Sequence, residues 1–209
     1  LVDSNFAGPD GGKFVDEYPV ETVPLSGDVD KAKEYLAAAM EELGYSDVSQ
    51  LPQLELITWD TSEQKLLLET IIDQWKQNLG LENIQLTQYV IGTAIGSFYD
   101  LSDELFAITW ETDVLPTDIM EAMVTGGEVN YGIWSDAQFD SLVEQAINEL
   151  EPDKQAELTA QAEQIFLDNA AILTLYENGV NGAVQSYVEG FQMSATSSGY
   201  QFNHLVVPK

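Results

Sequence analysis

The stretch that decides the fold class is residues 54–90, which read LELITWDTSEQKLLLETIIDQWKQNLGLENIQLTQYV. The apolar run 54–59 predicts a strand, and the partly alternating run 83–90 predicts a second one. Between them, Asp60 is a candidate helix N-cap and Gly80 is placed to end the helix. One face of this helix is apolar and consists of Leu68, Ile71, Ile72, Trp75 and Leu79. The stretch therefore predicts a strand–helix–strand unit.

On the amino-terminal side of this unit, residues 1–27 hold glycines and prolines with little periodicity, which predicts an irregular lead-in. A helix follows, for which Asp28 or Asp30 is the candidate N-cap and Gly44 the closing residue. Its apolar stripe at helical spacing consists of Ala32, Tyr35, Leu36, Ala39, Met40 and Leu43.

On the carboxyl-terminal side, the continuous apolar run 105–110 predicts a strand that is covered on both faces. Helices are predicted near Pro116, after an N-cap at Ser135, and from Pro152 to about Asp168. The second of these helices has an apolar stripe of Phe139, Leu142, Val143, Ala146, Ile147 and Leu150.

Two further apolar runs, 172–176 and 183–187, predict additional strands, the first of them buried in the core. From residue 54 onward, the order of elements is then β-α-β-β-α-α-α-β. This alternation predicts the α/β fold class, with a mixed or largely parallel sheet flanked by helices.

The amino-acid composition argues against several classes of function. The 209 residues include 36 Asp and Glu but only 7 Lys and no Arg, so the formal net charge is −29. This charge argues against nucleic-acid binding and against a polybasic membrane patch, because both depend on Lys and Arg. The absence of Cys excludes disulfides and thiolate chemistry, and a lone His204 argues against a catalytic triad or a multi-histidine metal site. No run approaches the ~20 apolar residues of a membrane-spanning helix.

Candidate binding residues follow the predicted strand at 105–110. Trp110, Glu111 and Asp113 stand at its carboxyl end, where ligands gather in open α/β sheets. A carboxylate beside an aromatic ring suits a cationic group, through ion pairing and cation–π attraction. In the alternative interpretation, Asp113 caps the helix near Pro116 and Trp110 fills the core.

A set of short motifs in a fixed order resembles the family-5 extracytoplasmic solute-binding proteins, the peptide-binding components of oligopeptide and dipeptide ABC importers. The motifs are DVDKAKEYL at 28–36 with Gly44-Tyr45, QWKQNLG at 74–80, WETD at 110–113, Asn130 with WSDAQFDSL at 134–142, AEQI at 162–165 and AILTLY at 171–176. Each motif is weak alone, but their common order and spacing make the resemblance specific.

The resemblance implies one lobe of a two-lobe, type II periplasmic-binding-protein-like fold. Members are two to three times longer, so we expect residues 1–209 to be the C-terminal lobe, with an α/β core over 28–188. The tail over 189–209 is expected to pack on the missing N-terminal lobe. In such proteins the ligand lies in a cleft between lobes that close by hinge motion.

The resemblance also assigns roles to two residues. Asp113 matches the aspartate that receives the α-amino group of a bound peptide, and Trp110 is expected to form a pocket wall. It implies no cofactor, no metal and no catalytic residue. The chain departs from the family pattern after the anchor, where Leu115-Pro116 replaces an Asp-Pro pair, and at Ile172, which replaces a proline.

The expected partners are a peptide, the permease subunits of an ABC transporter and the missing lobe, with no nucleic acid and no direct membrane insertion. The expected location is extracytoplasmic, as a lipoprotein or in a periplasm. A peptide-sensing receptor, or a binding protein for a nickel complex or sugar, is the alternative. Glu111 and Asp113 as a glycosidase pair are disfavoured, because 36 acidic residues make chance pairs common.

Overall fold

The computed structural model describes residues 2–4, 6–90, 105–109, 115–177, 183–193 and 200–201, the last two and 192–193 by their backbone alone. The chain divides into two compact units. We call them the sheet unit, Thr22–Thr109 with Tyr131–Ile133, and the helical unit, Leu1–Glu21, Trp110–Asn130 and Trp134–Lys209. The single-lobe organisation, with its core over 28–188 and tail over 189–209, stays a prediction.

The centre of the sheet unit is a parallel sheet with the strand order β2-β1-β3. Its strands are β1 (Leu54–Trp59), β2 (Ile84–Tyr89) and β3 (Leu105–Ala107). The central strand β1 is in register with β2 as far as the pair Trp59↔Tyr89, and Thr58 pairs with Ala107 of β3. The predicted α/β fold class, with a largely parallel sheet and flanking helices, is therefore confirmed.

One face of this sheet is covered by helix α3 (Ser62–Leu79), which follows β1 and ends at Gly80 in the left-handed conformation (φ 71°). Leu68 and Ile72 of α3 are buried against Leu56 of β1. The same cluster includes the half-buried Ile71, Ile84, Leu86 and Ala107. Because side chains alternate along a strand, Ile57 and Trp59 point away from α3.

Helix α2 (Val29–Leu43) begins after Asp28, whose carboxylate accepts a hydrogen bond from Lys31 N at 2.9 Å. It ends at Gly44 with φ 73°, as predicted. The predicted apolar stripe is only partly buried: Met40 is 8% exposed, whereas Tyr35 is 67% exposed. The helix packs against α3 over a short length, and half of the stripe, Tyr35, Ala39 and Leu43, is exposed in the described part of the chain.

The helical unit contains the remaining elements. Its helices are α1 (Phe14–Glu17), α4 (Asp118–Met123), α5 (Ala137–Asn148) and α6 (Pro152–Asp168), and its strands β4 (Gln192–Met193) and β5 (Tyr200–Gln201) are antiparallel. The predicted helices near Pro116 and from Pro152 to Asp168 are confirmed. No helix of the described residues is both long and apolar enough to cross a bilayer.

The core of the helical unit lies where α5 packs on α6. Phe139 of α5 stacks on Phe166 of α6 with ring centroids 5.1 Å apart, and Trp134 meets both rings edge-on. Val143 and Ala146 are also buried, which confirms that part of the predicted stripe. Its carboxyl end was predicted wrongly, because Ile147 is 42% and Leu150 is 91% exposed.

Two predicted helix caps are each displaced by one residue. Thr61, not Asp60, caps α3, because Asp60 N donates to Tyr89 O and so extends the sheet ladder beyond β1. Asp136, not Ser135, caps α5 and accepts hydrogen bonds from Gln138 N and Phe139 N.

Three strand predictions need correction. The strand predicted at 105–110 covers only Leu105–Ala107 in the described residues, and Leu105 is 44% exposed because β3 lies at an edge of the sheet. The run 172–176 is not a buried strand, since Leu173 is 61% exposed and no described strand pairs with it. The run 183–187 is likewise no strand and contains a turn. An apolar run forms a buried strand only beside a neighbouring strand and under a covering layer.

The described residues of the lead-in over 1–27 are irregular except for α1, but its first part is integral to the helical unit. Val2 N donates to the buried Glu163 Oε1 at 2.8 Å, and Glu21 N donates to Gln164 Oε1 at 2.7 Å. Phe14 of α1 is only 2% exposed. Both ends of residues 2–21 are therefore fastened to α6.

Candidate ligand site at the carboxyl edge of the sheet

The carboxyl ends of three parallel strands meet at one edge of the sheet. Trp59 and Tyr89 end β1 and β2 as register partners, and Thr109 stands two residues beyond the end of β3. Trp59 and Tyr89 are half-buried and lie on the face away from α3. This edge, which we call the carboxyl edge, is where open α/β sheets bind ligands.

A glutamine amide fixes the turn that follows β1. Gln88 Nε2 of β2 donates to Trp59 O and to Thr61 O, each at 3.1 Å. Together with the bond from Asp60 N to Tyr89 O at 2.9 Å, this holds the turn to the neighbouring strand. The backbone at the carboxyl edge is thus held in place by contacts within the sheet unit.

A second polar pair ties α3 to the end of β3. Gln64, only 6% exposed, donates from Nε2 to Thr109 Oγ1 at 2.8 Å. The fully buried Thr58 donates from Oγ1 to Ala107 O at 2.7 Å. Because buried polar groups are costly when unpaired, these bonds fix the path of β3 up to Thr109. Sequence reasoning missed Thr58, Gln64 and Gln88, although a polar residue within an apolar strand or helix face is a detectable signal.

The predicted site residues follow directly in sequence. Trp110 is the residue after Thr109, and Asp113 is the fourth, but both lie outside the described residues, as does Glu111. Their roles as pocket wall and amine anchor stay predictions. The alternative roles, Asp113 as a helix cap and Trp110 in the core, also concern residues outside the described ones and stay predictions; the N-cap position of α4 is Thr117.

The motifs around Asn130 and Ala162-Glu163 make hydrogen bonds within the fold. Asn130 is 7% exposed, and its side chain donates to Val124 O and Trp134 O and accepts from Trp134 N. Ala162 and Glu163 are buried in α6, and Glu163 Oε1 accepts a hydrogen bond from Val2 N. These two motifs therefore hold a loop and the amino-terminal segment in place.

Charge favours cationic ligands over anionic ones. With a net charge of −29, the protein attracts ammonium groups at long range and repels phosphates. Lys31, Lys65 and Lys154 form ion pairs at the surface, the last from Nζ to Glu149 Oε2 at 2.6 Å. Lys154 and two backbone N–H groups lower the pKa of Glu149 to about 2. No group of three or more acidic or histidine side chains in the described part is placed to hold a metal ion.

Curated relatives are consistent with a solute-binding role. Over 176 residues, 83% of this chain and 32% of the relative, the chain is 27% identical to the oligopeptide-binding protein OppA of Bacillus subtilis. It is also 27% identical to the dipeptide-binding protein DppE of the same organism, over 84% of this chain and 31% of the relative. The predicted resemblance is confirmed. A third relative at 27% identity, over 81% of this chain and 31% of that protein, is the probable deoxycholate-binding periplasmic protein YgiS of Escherichia coli.

Solved structures agree on the fold. The chain superposes on an oligopeptide ABC transporter substrate-binding domain from Bacillus anthracis with a TM-score of 0.76 at 21% identity, over 97% of this chain and 39% of that one. Peptide-bound OppA of Listeria monocytogenes gives a TM-score of 0.72 at 20% identity, over 98% of this chain and 38% of that one. The pheromone receptor PrgZ gives a TM-score of 0.74 at 19% identity, over 99% of this chain and 39% of that one. No protein-family model matches the chain. The chain spans about a third of the length of the curated relatives.

Proposed function

We propose that this chain is a lobe of the substrate-binding component of an ABC importer and captures peptides for delivery to the membrane permease. The observation that carries the proposal is the match to oligopeptide- and dipeptide-binding proteins along more than four fifths of the chain. The fold supports it, because the carboxyl edge of the sheet lies directly before the residues of the predicted anchor. The acidic surface supports a ligand that carries a positive charge.

The anchor of the peptide is Asp113, which binds the α-amino group as an ion pair, and Trp110 forms a wall of the adjoining pocket. The bonds between Gln64 and Thr109 and between Thr58 and Ala107 support this assignment, since they fix the chain immediately before Trp110. A charge pair in a cleft shielded from water is strong and directional. Main-chain hydrogen bonds to the rest of the peptide accept many sequences, because they do not involve the side chains.

The proposed role is binding without catalysis, in an extracytoplasmic location as a lipoprotein or in a periplasm. The relatives are named for binding and for ABC transport, and none of them is named for a reaction. The lobe would close on the ligand together with a second lobe and would then meet the permease subunits. One lobe supplies only part of the contacts, so this chain alone is expected to bind peptides weakly.

The ligand class can be tested by NMR titration of the ¹⁵N-labelled chain. Four additions are compared at millimolar concentration: a pool of tri- to pentapeptides, a pool of sugars, a nickel complex, and deoxycholate below its micelle concentration. We expect the peptide pool alone to move a confined set of amide resonances, including those at the carboxyl edge. Saturable shifts with deoxycholate, sugar or nickel, and none with peptides, would contradict the proposal.

A further inference from the structure

Residues 115–118 form a turn that two hydrogen bonds close. Leu115 N donates to Asp118 Oδ2 at 2.7 Å, and Asp118 N donates to Leu115 O at 3.1 Å. A side chain that accepts from the backbone N–H three residues earlier is also a part of the capping box at helix starts. Because Asp118 binds both the donor and the acceptor of the Leu115 backbone, it fixes that residue relative to α4, which begins at Asp118.

The residues between Leu115 and Asp118 restrict this turn further. Pro116 has a fixed φ of about −65° and confines the preceding residue, Leu115, to extended conformations. Thr117 is already in the right-handed helical region (φ −79°, ψ −20°) and is 5% exposed, and its carbonyl accepts a hydrogen bond from Glu121 N at 2.9 Å. The turn is therefore fixed by the covalent geometry of proline and by the start of α4 as well as by Asp118.

Helix α4 is largely buried. Of its six residues, Ile119, Met120 and Met123 are at most 9% exposed. Leu115, by contrast, is 48% exposed, and Asp118 is half-buried between the two. The carboxylate of Asp118 thus joins a residue near the surface to a helix that its own buried side chains hold in place.

This turn directly follows the motif that carries the proposed anchor. Leu115 is the second residue after Asp113, and a chain extends by at most about 3.6 Å per residue, so the covalent chain alone keeps their Cα atoms within about 7 Å of each other. Before the motif, Thr109 is held by Gln64 Nε2 at 2.8 Å. The residues described on either side of the motif at 110–113 are therefore each fixed by a side chain of their own unit.

We propose that Asp118 is a positioning residue for peptide binding, which fixes Leu115 and through it holds Asp113 in place for the α-amino group of the peptide. The inference rests on the proposed function, in which Asp113 is the anchor, and adds to it a residue that acts without touching the ligand. A charge-assisted hydrogen bond depends on distance and direction. An anchor that is fixed in advance therefore binds an ammonium group more tightly than one that the ligand must first order.

The test measures affinities by calorimetric titration with one tetrapeptide, free or acetylated at its amino terminus. Three variants are compared with the unaltered chain. Asp118→Ala removes the acceptor of Leu115 N, Asp118→Asn keeps an acceptor oxygen of the same reach, and Glu121→Ala removes a carboxylate from an exposed position of the same helix. Because Asp118→Ala and Glu121→Ala change the net charge equally, they alter the long-range attraction of the peptide alike.

We expect Asp118→Ala to weaken binding of the free peptide about fivefold, the effect of one hydrogen bond, and binding of the acetylated peptide less than about twofold. Asp118→Asn should retain most of the affinity, and Glu121→Ala should leave the ratio between the two peptides unchanged. Combined with Asp113→Asn, Asp118→Ala should have no further effect, because both residues act through one ion pair. The melting temperature of Asp118→Ala should fall by only about 2–4 °C, since the buried residues of α4 are unaltered.

Equal weakening for the free and the acetylated peptide would overturn the inference, because it would indicate a general loss of order. Unchanged affinities in Asp118→Ala, or a further loss when it is combined with Asp113→Asn, would overturn it too. So would an Asp118→Ala chain that does not fold, since the contact would then maintain the fold as a whole. If the unaltered chain binds neither peptide, the proposed function fails, and this inference fails with it.

Discussion

Two regions of the molecule differ in how they use their polar and aromatic residues. Around Asn130 and Phe139 in the helical unit, such residues are buried and their hydrogen bonds close within the unit. At the carboxyl edge of the sheet unit, Trp59 and Tyr89 stay half-buried, and the polar bonds of Gln64 and Gln88 hold the backbone at its place. Burial in the first region stabilises the fold, whereas the second region leaves two aromatic side chains partly exposed.

The comparison shows why a motif of the resemblance such as Asn130 marks the fold, whereas the predicted binding residues Trp110 and Asp113 lie in another motif. A buried asparagine with three hydrogen bonds has few acceptable replacements, so it marks the fold. Under the proposed function, residues at the carboxyl edge contact the ligand and can vary with it. Substitutions in the first region should therefore change stability, and substitutions in the second should change binding.

The largest expected effect is on stability, from Phe139→Ala. Phe139 is fully buried between Phe166 and Trp134, so its removal leaves a cavity and should lower the free energy of unfolding by about 3–5 kcal/mol. This loss is measured by urea denaturation, monitored by circular dichroism. Ile147→Ala on the same helix is the control, since Ile147 is 42% exposed and should cost much less. Equal losses in the two variants would refute the assignment of the core.

The next effect distinguishes the two regions directly, through Asn130→Ala and Gln88→Ala. Asn130→Ala removes three hydrogen bonds, which join Asn130 to Val124 O, Trp134 O and Trp134 N, and should cost about 1–3 kcal/mol of stability. Gln88→Ala loosens the turn at Trp59 and Thr61 near the surface, so it should cost less stability but weaken peptide binding. Denaturation and peptide titration of both variants check this. Unchanged peptide affinity in Gln88→Ala would contradict the assignment of the carboxyl edge to binding.

A smaller effect concerns the net negative charge of the whole chain. At a net charge of −29, self-repulsion destabilises the folded chain, and added salt screens it. The urea midpoint should rise between about 0.05 M and 0.5 M NaCl, as the screening length falls below about 10 Å. The rise should be similar for the unaltered chain and for Ile147→Ala. A falling midpoint would show that specific ion pairs outweigh the repulsion.

The smallest effect is a pH dependence at the junction of α5 and α6. Lys154 and two backbone N–H groups lower the pKa of Glu149 from 4.5 to about 2 in the folded chain. The ionised group therefore stabilises the fold above pH 4.5, and this contribution is lost as the pH falls from there to about 2. Glu149→Gln should be less stable than the unaltered chain at pH 6 and equal to it near pH 2. Glu144→Gln, an exposed neighbour on α5, should show no such convergence.

Periodicity and breaker residues predicted much of the fold. The strand–helix–strand order of β1, α3 and β2, and the helix stops at Gly44 and Gly80, depend on local preferences and are correct. The N-cap of α3 was predicted one residue too early, because Asp60 N donates a hydrogen bond to Tyr89 O, 29 positions away in sequence. The exposed run 172–176 was misread because an apolar pattern does not reveal what covers it.

The candidate site could be predicted less completely than the fold. Its location at strand ends follows from the α/β order, and the two predicted ligand-binding residues follow from resemblance. The supporting bonds of Gln64, Gln88 and Thr58 depend on the pairing of distant segments, which no local pattern encodes.

The central claim, capture of a peptide through its α-amino group, is tested most directly by calorimetric titration with one tetrapeptide, free or acetylated at its amino terminus. The unaltered chain should bind the free peptide more tightly than the acetylated one, and Asp113→Asn should abolish the difference. Asp73→Asn, an exposed carboxylate on α3, is the control and should preserve the difference. Equal binding of both peptides by the unaltered chain, or an undiminished preference in Asp113→Asn, would contradict the account.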